Sequence, residues 1–368
     1  MKRVLILANN DGGLYHFRFE LLKALTKDFK VIVCLPIGRF TEHFVGIGCE
    51  VVPCEILDRR GSNPIRDIRL LQYYRKVIKE KKPDIVLSYT IKPNVYGGMA
   101  CQLLHVSYIA NVTGLGTAIE NGGILSFIAR TLYKAGLKKA ECVFFQNSRN
   151  RAFFEENKLI HSKTRLIPGS GVNLERHYFE VFPEASQGTR FLFVGRVMKD
   201  KGIEELLSSI RRIHNEHENV KLDLVGGLEE DYEADISKAE KEGAIVYHGE
   251  QTDMHRFYKD CHCVVLPSYH EGMANVLLEA SATGRPVIAS NINGCKEAFD
   301  EGITGLGCEV KNAESLYNAM NRFLELPYEK KAEMGREARK KMEREFDRQI
   351  VVDAYLEEIA EAVRSESK

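Results

Sequence analysis

The chain contains no tryptophan and only 10 prolines in 368 residues. With no tryptophan and no basic–aromatic repeat it lacks the stacking surface of a nucleic-acid binder, and no nucleic-acid partner is expected. No run approaches the ~20 apolar residues of a membrane-spanning helix. The opening "MKRVLILANNDGG" is cut short by Asn9, Asn10 and Asp11, with no small-residue cleavage site after it. It reads as a first buried strand, not a signal peptide. Net charge is absent as well, with 52 Lys+Arg against 52 Asp+Glu. The 9 cysteines form no Cys-x-x-Cys pair, so they read as reduced, buried thiols of a cytosolic protein. Cys261-His262-Cys263 has the wrong spacing to chelate, and no metal is expected.

What is present is unevenly spread. Residues 1–168 carry 26 Lys+Arg against 14 Asp+Glu, an excess of 12, and the remainder carries the mirror image, 26 against 38. Two readings stay open. The first half faces something anionic, such as a membrane surface or a phosphate, or the halves attract each other across a cleft.

Short β-branched runs alternate with amphipathic stretches. Thirteen strands are predicted, beginning at Val4, Val31, Val51, Ile85, Tyr108, Cys142, Thr164, Phe191, Lys221, Ala244, Cys263, Val287 and Gly305. Helices are predicted between them, for example over Phe17–Thr26 and Ile65–Lys81, and nearly continuously from Tyr328. This alternation implies α/β architecture with parallel sheets covered on both faces. The strand-then-glycine pattern of "RVLILANNDGG" restarts at "RFLFVGRV", after the Pro/Gly/Ser-rich stretch 166–189. We therefore expect two doubly wound, Rossmann-like domains facing a cleft. They are residues 1–168 and 169–345, followed by a C-terminal helix over 346–368.

Two stretches carry chemistry. "FVGRVMKDKGIEELL" delivers Gly195, Arg196 and Lys201 after a strand. Two cations there suit a departing diphosphate, although a solvated charged loop reads the same. "YHEGMANVLLEASATGRPVIAS" places Glu271 at a loop end, with Gly272, Met273, Ala274 and Asn275 opening a helix whose amides favour an anion. Glu279 follows eight residues later, ~12 Å along the helix axis. Two carboxylates so separated can hold hydroxyls of two sugars. Alternatively, Glu271 pairs with the helix dipole and Glu279 with a neighbouring cation.

Together these residues resemble glycosyltransferase family 4, which has the GT-B fold, retains anomeric configuration and needs no metal. The resemblance spans essentially the whole chain, including the first Gly-Gly loop, "LPS" at 266–268 and "GRPVIAS" at 284–290. It implies that Arg196 and Lys201 bind the donor diphosphate, with Gly12 and Gly13 approaching it from the other domain. Glu271 would contact donor-sugar hydroxyls, the Gly272–Asn275 amides the sugar and phosphate, and Glu279 the ribose. The nucleobase pocket would lie around 248–253, with His248 either structural or functional. Arg196, Lys201 and Glu271 would be catalytic. Many family members place a histidine near the reacting sugar; here Thr113 and Gly114 stand in that region. The family's same-face displacement needs no protein base, because the leaving phosphate takes the acceptor proton.

"SYTIKPNVYG" and "NVTGLGTA" resemble a narrower group that transfers hexoses or N-acetylhexosamines from UDP-sugars to polyprenyl-diphosphate-linked saccharides. The α-1,3-N-acetylgalactosaminyl- and galactosyltransferases are the members most similar. Acceptor contacts are then expected from His16, Arg59, Arg60, Arg66, Lys92 and Thr113. Residues 122–141 form a basic amphipathic helix, with Ile124, Phe127, Ile128, Leu132 and Leu137 beside Arg130, Lys134, Lys138 and Lys139. It lies either on an anionic membrane, giving a peripheral protein of the inner face, or as an ordinary packed helix. A nucleotide-sugar 2-epimerase of the same fold and a non-catalytic sugar- or membrane-binding module are the competing functions. The first lacks a paired acid and histidine set, and the intact donor constellation argues against the second.

Overall fold

The computed structural model describes residues 1–58, 63–114, 119, 122–184 and 188–365. The chain divides into two compact units. Unit 1 is Met1–Ser170 with Arg348–Lys368, and unit 2 is Gly171–Asp347.

Unit 1 holds seven parallel strands, β1 (Arg3–Leu7), β2 (Lys30–Leu35), β3 (Glu50–Pro53), β4 (Ile85–Tyr89), β5 (Ser107–Val112), β6 (Cys142–Phe145) and β7 (Lys163–Leu166), in the order β3-β2-β1-β4-β5-β6-β7. Val4, Leu5, Ile6 and Leu7 are all fully buried, as a central strand covered on both faces requires. One face carries α1 (Asp11–Asp28) and α2 (Thr41–Gly46); the other carries α3 (Pro64–Lys81), α4 (Gly98–Leu104), α5 (Gly123–Leu137) and α6 (Ser148–Glu156). A single π-turn, Pro93–Gly97, leads into α4.

Unit 2 repeats the plan with β8 (Thr189–Val194), β9 (Val220–Val225), β10 (Ile245–Tyr247), β11 (Cys263–Leu266), β12 (Val287–Ser290) and β13 (Gly305–Cys308), in the order β10-β9-β8-β11-β12-β13. Its helices are α7 (Ile203–Glu216), α8 (Glu233–Lys241), α9 (His255–Asp260), α10 (Asn275–Ala282), α11 (Ala313–Glu325) and α12 (Tyr328–Lys341). The last helix, α13 (Arg348–Ser365), lays Val351, Val352, Tyr355, Ile359 and Val363 into the α1 side of unit 1's core.

Three local expectations are corrected. Gly12 and Gly13 lie in the first turn of α1, not in a loop, because Asn10 accepts the Gly13 amide at 2.5 Å and Asp11 the Gly12 amide at 2.7 Å. Gly272, Met273 and Ala274 precede α10, which opens only at Asn275. The helix from Tyr328 is not continuous. A π-turn at Met342–Phe346 and an extended Asp347 separate α12 from α13, where the Phe346 carbonyl accepts the Val172 amide at 2.8 Å.

In each sheet the strand order reverses beside its first strand, between β1 and β4 and between β8 and β11. Ligands of open α/β sheets bind beyond the carboxyl ends at such a reversal. The residues to inspect therefore follow β1, β4, β8 and β11.

Candidate active site

In unit 2, Lys201 ends a 3-10 turn after β8 and Glu271 follows β11. The Lys201 Nζ meets Glu271 Oε1 at 2.5 Å, and both side chains are mostly covered, at 17% and 14% exposed. Two glycines allow this meeting. Gly202 has φ +71, and a Cβ there would lie 2.2 Å from the Pro267 carbonyl. Gly294, in the loop after β12, has φ +88, and a Cβ would lie 2.5 Å from the Glu271 carbonyl. Neither position accepts a side chain without displacing the backbone that carries the pair. Three loops are thus interlocked. The Ala274 amide donates to Gly294 O at 2.8 Å, the Gly294 amide donates to Glu297 at 2.6 Å, and the Tyr269 amide donates to Asp200 O at 2.8 Å. The Cys295 thiol beneath is pushed well up by burial and then by the Glu271 charge.

The remaining unit 2 candidates spread around this pair. Arg196 follows Gly195 at the carboxyl end of β8, but its guanidinium meets Glu229 at 3.1 Å and is half exposed. Of the four amides expected to face an anion, that of Ala274 is bonded to Gly294 and that of Asn275 to Met273 O at 3.0 Å. The Met273 side chain is buried in the core. Glu279 sits on α10, accepting the Tyr258 hydroxyl at 2.8 Å, with His177 Nε2 3.9 Å away. Because Glu271 precedes the helix, axial rise along α10 does not set its separation from Glu279.

In unit 1 a cavity of about 230 Å³ lies beyond β1, β4 and β5, lined by Asn9, Leu57, Thr90, Ile91, Lys92, Thr113 and Gly114. It brings two expected acceptor residues, Lys92 and Thr113, to one place. Lys92 Nζ is held at 2.8 Å by Asp67, whose other oxygen accepts the Tyr96 hydroxyl at 2.9 Å. Thr90, which sequence reasoning missed, has φ +73 at the end of β4. A β-branched residue there costs about 1–3 kcal/mol, and such strain gathers at ligand sites. His16 packs edge-on against Tyr15 and Phe40, with ring centroids 5.3 and 4.9 Å away. Arg59 and Arg60 lie outside the described residues; Arg66 pairs with Asp58 at 3.1 Å.

On α5 Lys134 is exposed, as are Lys138 and Lys139 in the turn after it, and Arg130 packs over the Phe153 ring. Leu137, expected on the lipid-facing stripe, is instead buried with Tyr133 in the core. Among the described residues no helix is long and apolar enough to cross a membrane.

Residues 3–147 match the family described as Glycosyl transferase 4-like, and residues 175–341 match Glycosyl transferases group 1. The N,N'-diacetylbacillosaminyl-diphospho-undecaprenol alpha-1,3-N-acetylgalactosaminyltransferase of Campylobacter jejuni is 30% identical over 342 residues, covering 88% of this chain and 89% of its own. The chain belongs to the 4-like glycosyltransferases. The UDP-Gal:alpha-D-GlcNAc-diphosphoundecaprenol alpha-1,3-galactosyltransferase of Escherichia coli is 26% identical, covering 83% of this chain and 82% of its own. Sucrose-phosphate synthase from Thermosynechococcus elongatus superposes with a TM-score of 0.81 at 18% identity, covering 100% of both chains. Anabaena HepE in complex with UDP and glucose superposes at 0.80 and 16%, covering 98% and 100%. The glycosyltransferase therefore has the GT-B fold.

His248 follows the carboxyl end of β10, where its amide donates to Leu224 O at 2.9 Å, and its imidazole turns back along the sheet. It lines a cavity of about 610 Å³ with Arg190 near the start of β8 and His262 just before β11. Those are the amino ends of the strands whose carboxyl ends lead to Lys201 and Glu271. Its Nε2 meets Asp223 at 2.8 Å, and Arg190 holds the same carboxylate at 3.0 Å. The His248 imidazole is thus anchored to the sheet through Asp223.

Neighbouring His262 predicts a pH effect. Burial pushes its imidazole down to about 4. The folded state keeps it neutral where the unfolded chain, titrating near 6.5, takes up a proton. Its contribution is complete above pH ~6.5 and is lost as pH falls toward 4, for a total of about 3 kcal/mol. Urea midpoints should fall over that window, and His262→Gln should flatten the dependence. An unchanged pH slope would disprove this assignment.

Proposed function

We propose that this glycosyltransferase moves a hexose or N-acetylhexosamine from a UDP-sugar to a saccharide carried on polyprenyl diphosphate, with retention at the anomeric carbon. N-acetylgalactosamine is the first choice, then galactose or N-acetylglucosamine. The observation that carries the reading is the covered Lys201–Glu271 pair beyond the carboxyl ends of β8 and β11. Support comes also from the two relatives whose names specify undecaprenol-linked saccharides.

In this reading Lys201, with Arg196 swinging from Glu229, neutralises the donor diphosphate. Glu271 accepts hydrogen bonds from donor-sugar hydroxyls, and Glu279, buttressed by Tyr258, holds the ribose. The bond from the anomeric carbon to the phosphate oxygen breaks, and its electron pair leaves with UDP. The acceptor oxygen bonds to the same face of that carbon, and its proton passes to the departing phosphate oxygen. Fixed cations aimed at the charge that develops there lower the barrier without reorganising. Two such cations do the work assigned to a metal in other diphosphate chemistry, so no metal is required. The acceptor lies in unit 1 near Lys92 and Thr113. The protein works at the inner face of the cell membrane, where its excess of cations in residues 1–168 faces anionic lipid.

The test is a panel of UDP-sugars with a polyprenyl-diphosphate monosaccharide, reading product mass and anomeric configuration. One UDP-sugar should yield an α-linked product, and EDTA should leave the rate within twofold. No transfer from any donor, or an inverted product, would remove the reading; loss of activity in EDTA would remove its metal-free part.

A further inference from the structure

The residue at the carboxyl end of β4 is an unfavourable type for its backbone. Thr90 has φ +73, where glycine or asparagine sits with little strain and a β-branched side chain does not. The chain needs the bend, since it passes there from β4 directly into the helical stretch that begins at Ile91. It does not need threonine to make it. The Thr90 hydroxyl is buried and has no hydrogen-bond partner among the described residues. A buried hydroxyl left unpaired is itself destabilising. Threonine is thus disfavoured twice, by its backbone and by its side chain. It also lines the cavity beyond the strand reversal of unit 1.

A buried network holds this conformation in place. The Thr90 carbonyl accepts the Asn94 amide at 3.0 Å. The Asn94 side chain accepts the Ser88 hydroxyl at 2.8 Å and donates to the Asn111 carbonyl at 2.7 Å. The Asn111 carboxamide donates to the Tyr355 hydroxyl at 2.8 Å. Ser88, Asn94, Asn111 and Tyr355 are each at most 2% exposed. Asn94 lies in the π-turn, a distortion common at functional sites. Groups from β4, β5 and α13 therefore fix the turn around Thr90. Such over-determination lets a costly conformation persist where a ligand binds.

The chemistry of the cavity selects a neutral ligand. Among its described lining residues only Lys92 carries a charge, and Asp67 neutralises it at 2.8 Å, with each side chain 16% exposed. A diphosphate calls for uncompensated cations. What remains is the polar side chains of Asn9, Thr90 and Thr113 beside the apolar Leu57 and Ile91. A few fixed hydrogen-bonding groups against an apolar wall suit a sugar ring. We infer that Thr90 determines acceptor specificity: its hydroxyl hydrogen-bonds one hydroxyl of the acceptor's sugar ring, seated in this cavity, and does not contact the diphosphate. The inference rests on the reading that the acceptor is a saccharide. It explains both disfavoured features at once, since the bound sugar supplies the missing partner and the bend presents the hydroxyl to it.

The experiment compares wild type, Thr90→Val and Thr90→Ser on a polyprenyl-diphosphate N-acetylhexosamine, its monodeoxy analogues and its monophosphate analogue. Thr90→Val keeps the β-branch and removes only the hydroxyl. It should lower kcat/KM for the acceptor about tenfold or more, leave the donor KM within about twofold, and leave the melting temperature the same or higher. Thr90→Ser should stay within about threefold of wild type. One monodeoxy acceptor should cost wild type about tenfold and Thr90→Val less than about twofold, because the two deletions remove the same bond. Exchanging the diphosphate for a monophosphate should cost both proteins equally. Wild-type acceptor kinetics in Thr90→Val would overturn the inference and leave the activity standing. So would deoxy losses that are identical in the two proteins. A melting temperature lowered by more than about 3 °C would reveal a structural partner for the hydroxyl and overturn it too. If wild type transfers to no acceptor, calorimetry with alkyl N-acetylhexosaminides decides. Binding that Thr90→Val abolishes removes the proposed activity and still supports this site, whereas no binding overturns both.

Discussion

Replacing Glu271 or Lys201 by alanine should lower transfer by a factor on the order of 10²–10³, the usual loss when one preorganised charge partner is taken from a transition state. Their contact, at 2.5 Å between side chains that are each mostly covered, is made beyond the strand reversal of unit 2. Gly202, Gly294 and the Ala274–Gly294 hydrogen bond hold the loops there without help from either side chain. The variants should therefore keep the wild-type circular dichroism spectrum and melting temperature within a few degrees. Lys201→Ala should raise the donor KM as well as lower kcat, because it removes a ground-state diphosphate contact. Glu271→Ala should act mainly on kcat. Because the two groups act as a unit, the double variant should be no more than about threefold worse than the worse single. Near-normal rates in both singles would sink the donor-site assignment.

Arg285→Met should be the most damaging single substitution for the stability of unit 2. Arg285 is fully buried and donates to the main-chain carbonyls of Tyr258, Lys259, Glu180, Val181 and Gly284 at 2.7–3.2 Å. It ties the segment around Glu180 to the end of α9 and the start of β12. Methionine fills much of the volume but leaves those carbonyls without donors in a dry interior. Breaking a buried charged network costs about 3–5 kcal/mol. For a unit of this size the melting temperature should fall by on the order of 10 °C. Differential scanning calorimetry of the purified variant checks this, and a fall of less than about 2 °C would show that water reaches the site.

The central strands were legible because each is covered on both faces and so reads as a continuous apolar run, as at Val264–Leu266 and Val287–Ser290; the partly exposed β3, β7 and β10 were legible from the strand–helix alternation instead. The Lys201–Glu271 meeting was half legible. Both residues follow strands, but their contact needs a third loop whose Gly294 and Glu297 lie more than 20 residues from Glu271. The late start of α10 was hidden for the same reason, since the Ala274 amide is taken by Gly294, a partner that no local pattern reveals. Asn10 and Asp11 carry ordinary capping signals, yet two glycines after them have poor helix propensity and read as a loop. The break at Asp347 fell inside a run of good helix formers. It follows from burial of Phe346 in one core and Val351 in the other. The role of Arg285 in the Gly-Arg-Pro stretch was not legible, because five scattered carbonyls leave no sequence signature.

Helix α13 has a consequence for how the molecule is made. Its Tyr355 hydroxyl accepts from the buried Asn111 amide at 2.8 Å, and its apolar face completes the core around β1, β4 and β5. Unit 2 is one uninterrupted segment, whereas unit 1 is not closed until residues 348–365 arrive. On the ribosome, the first half of the chain must wait with the α1 side of its sheet covered only by α1 and α2 while the second half is synthesised. The order of translation is thus the reverse of the order in which the two cores can be finished, and the incompletely covered α1 side is the surface a chaperone would hold in the interval.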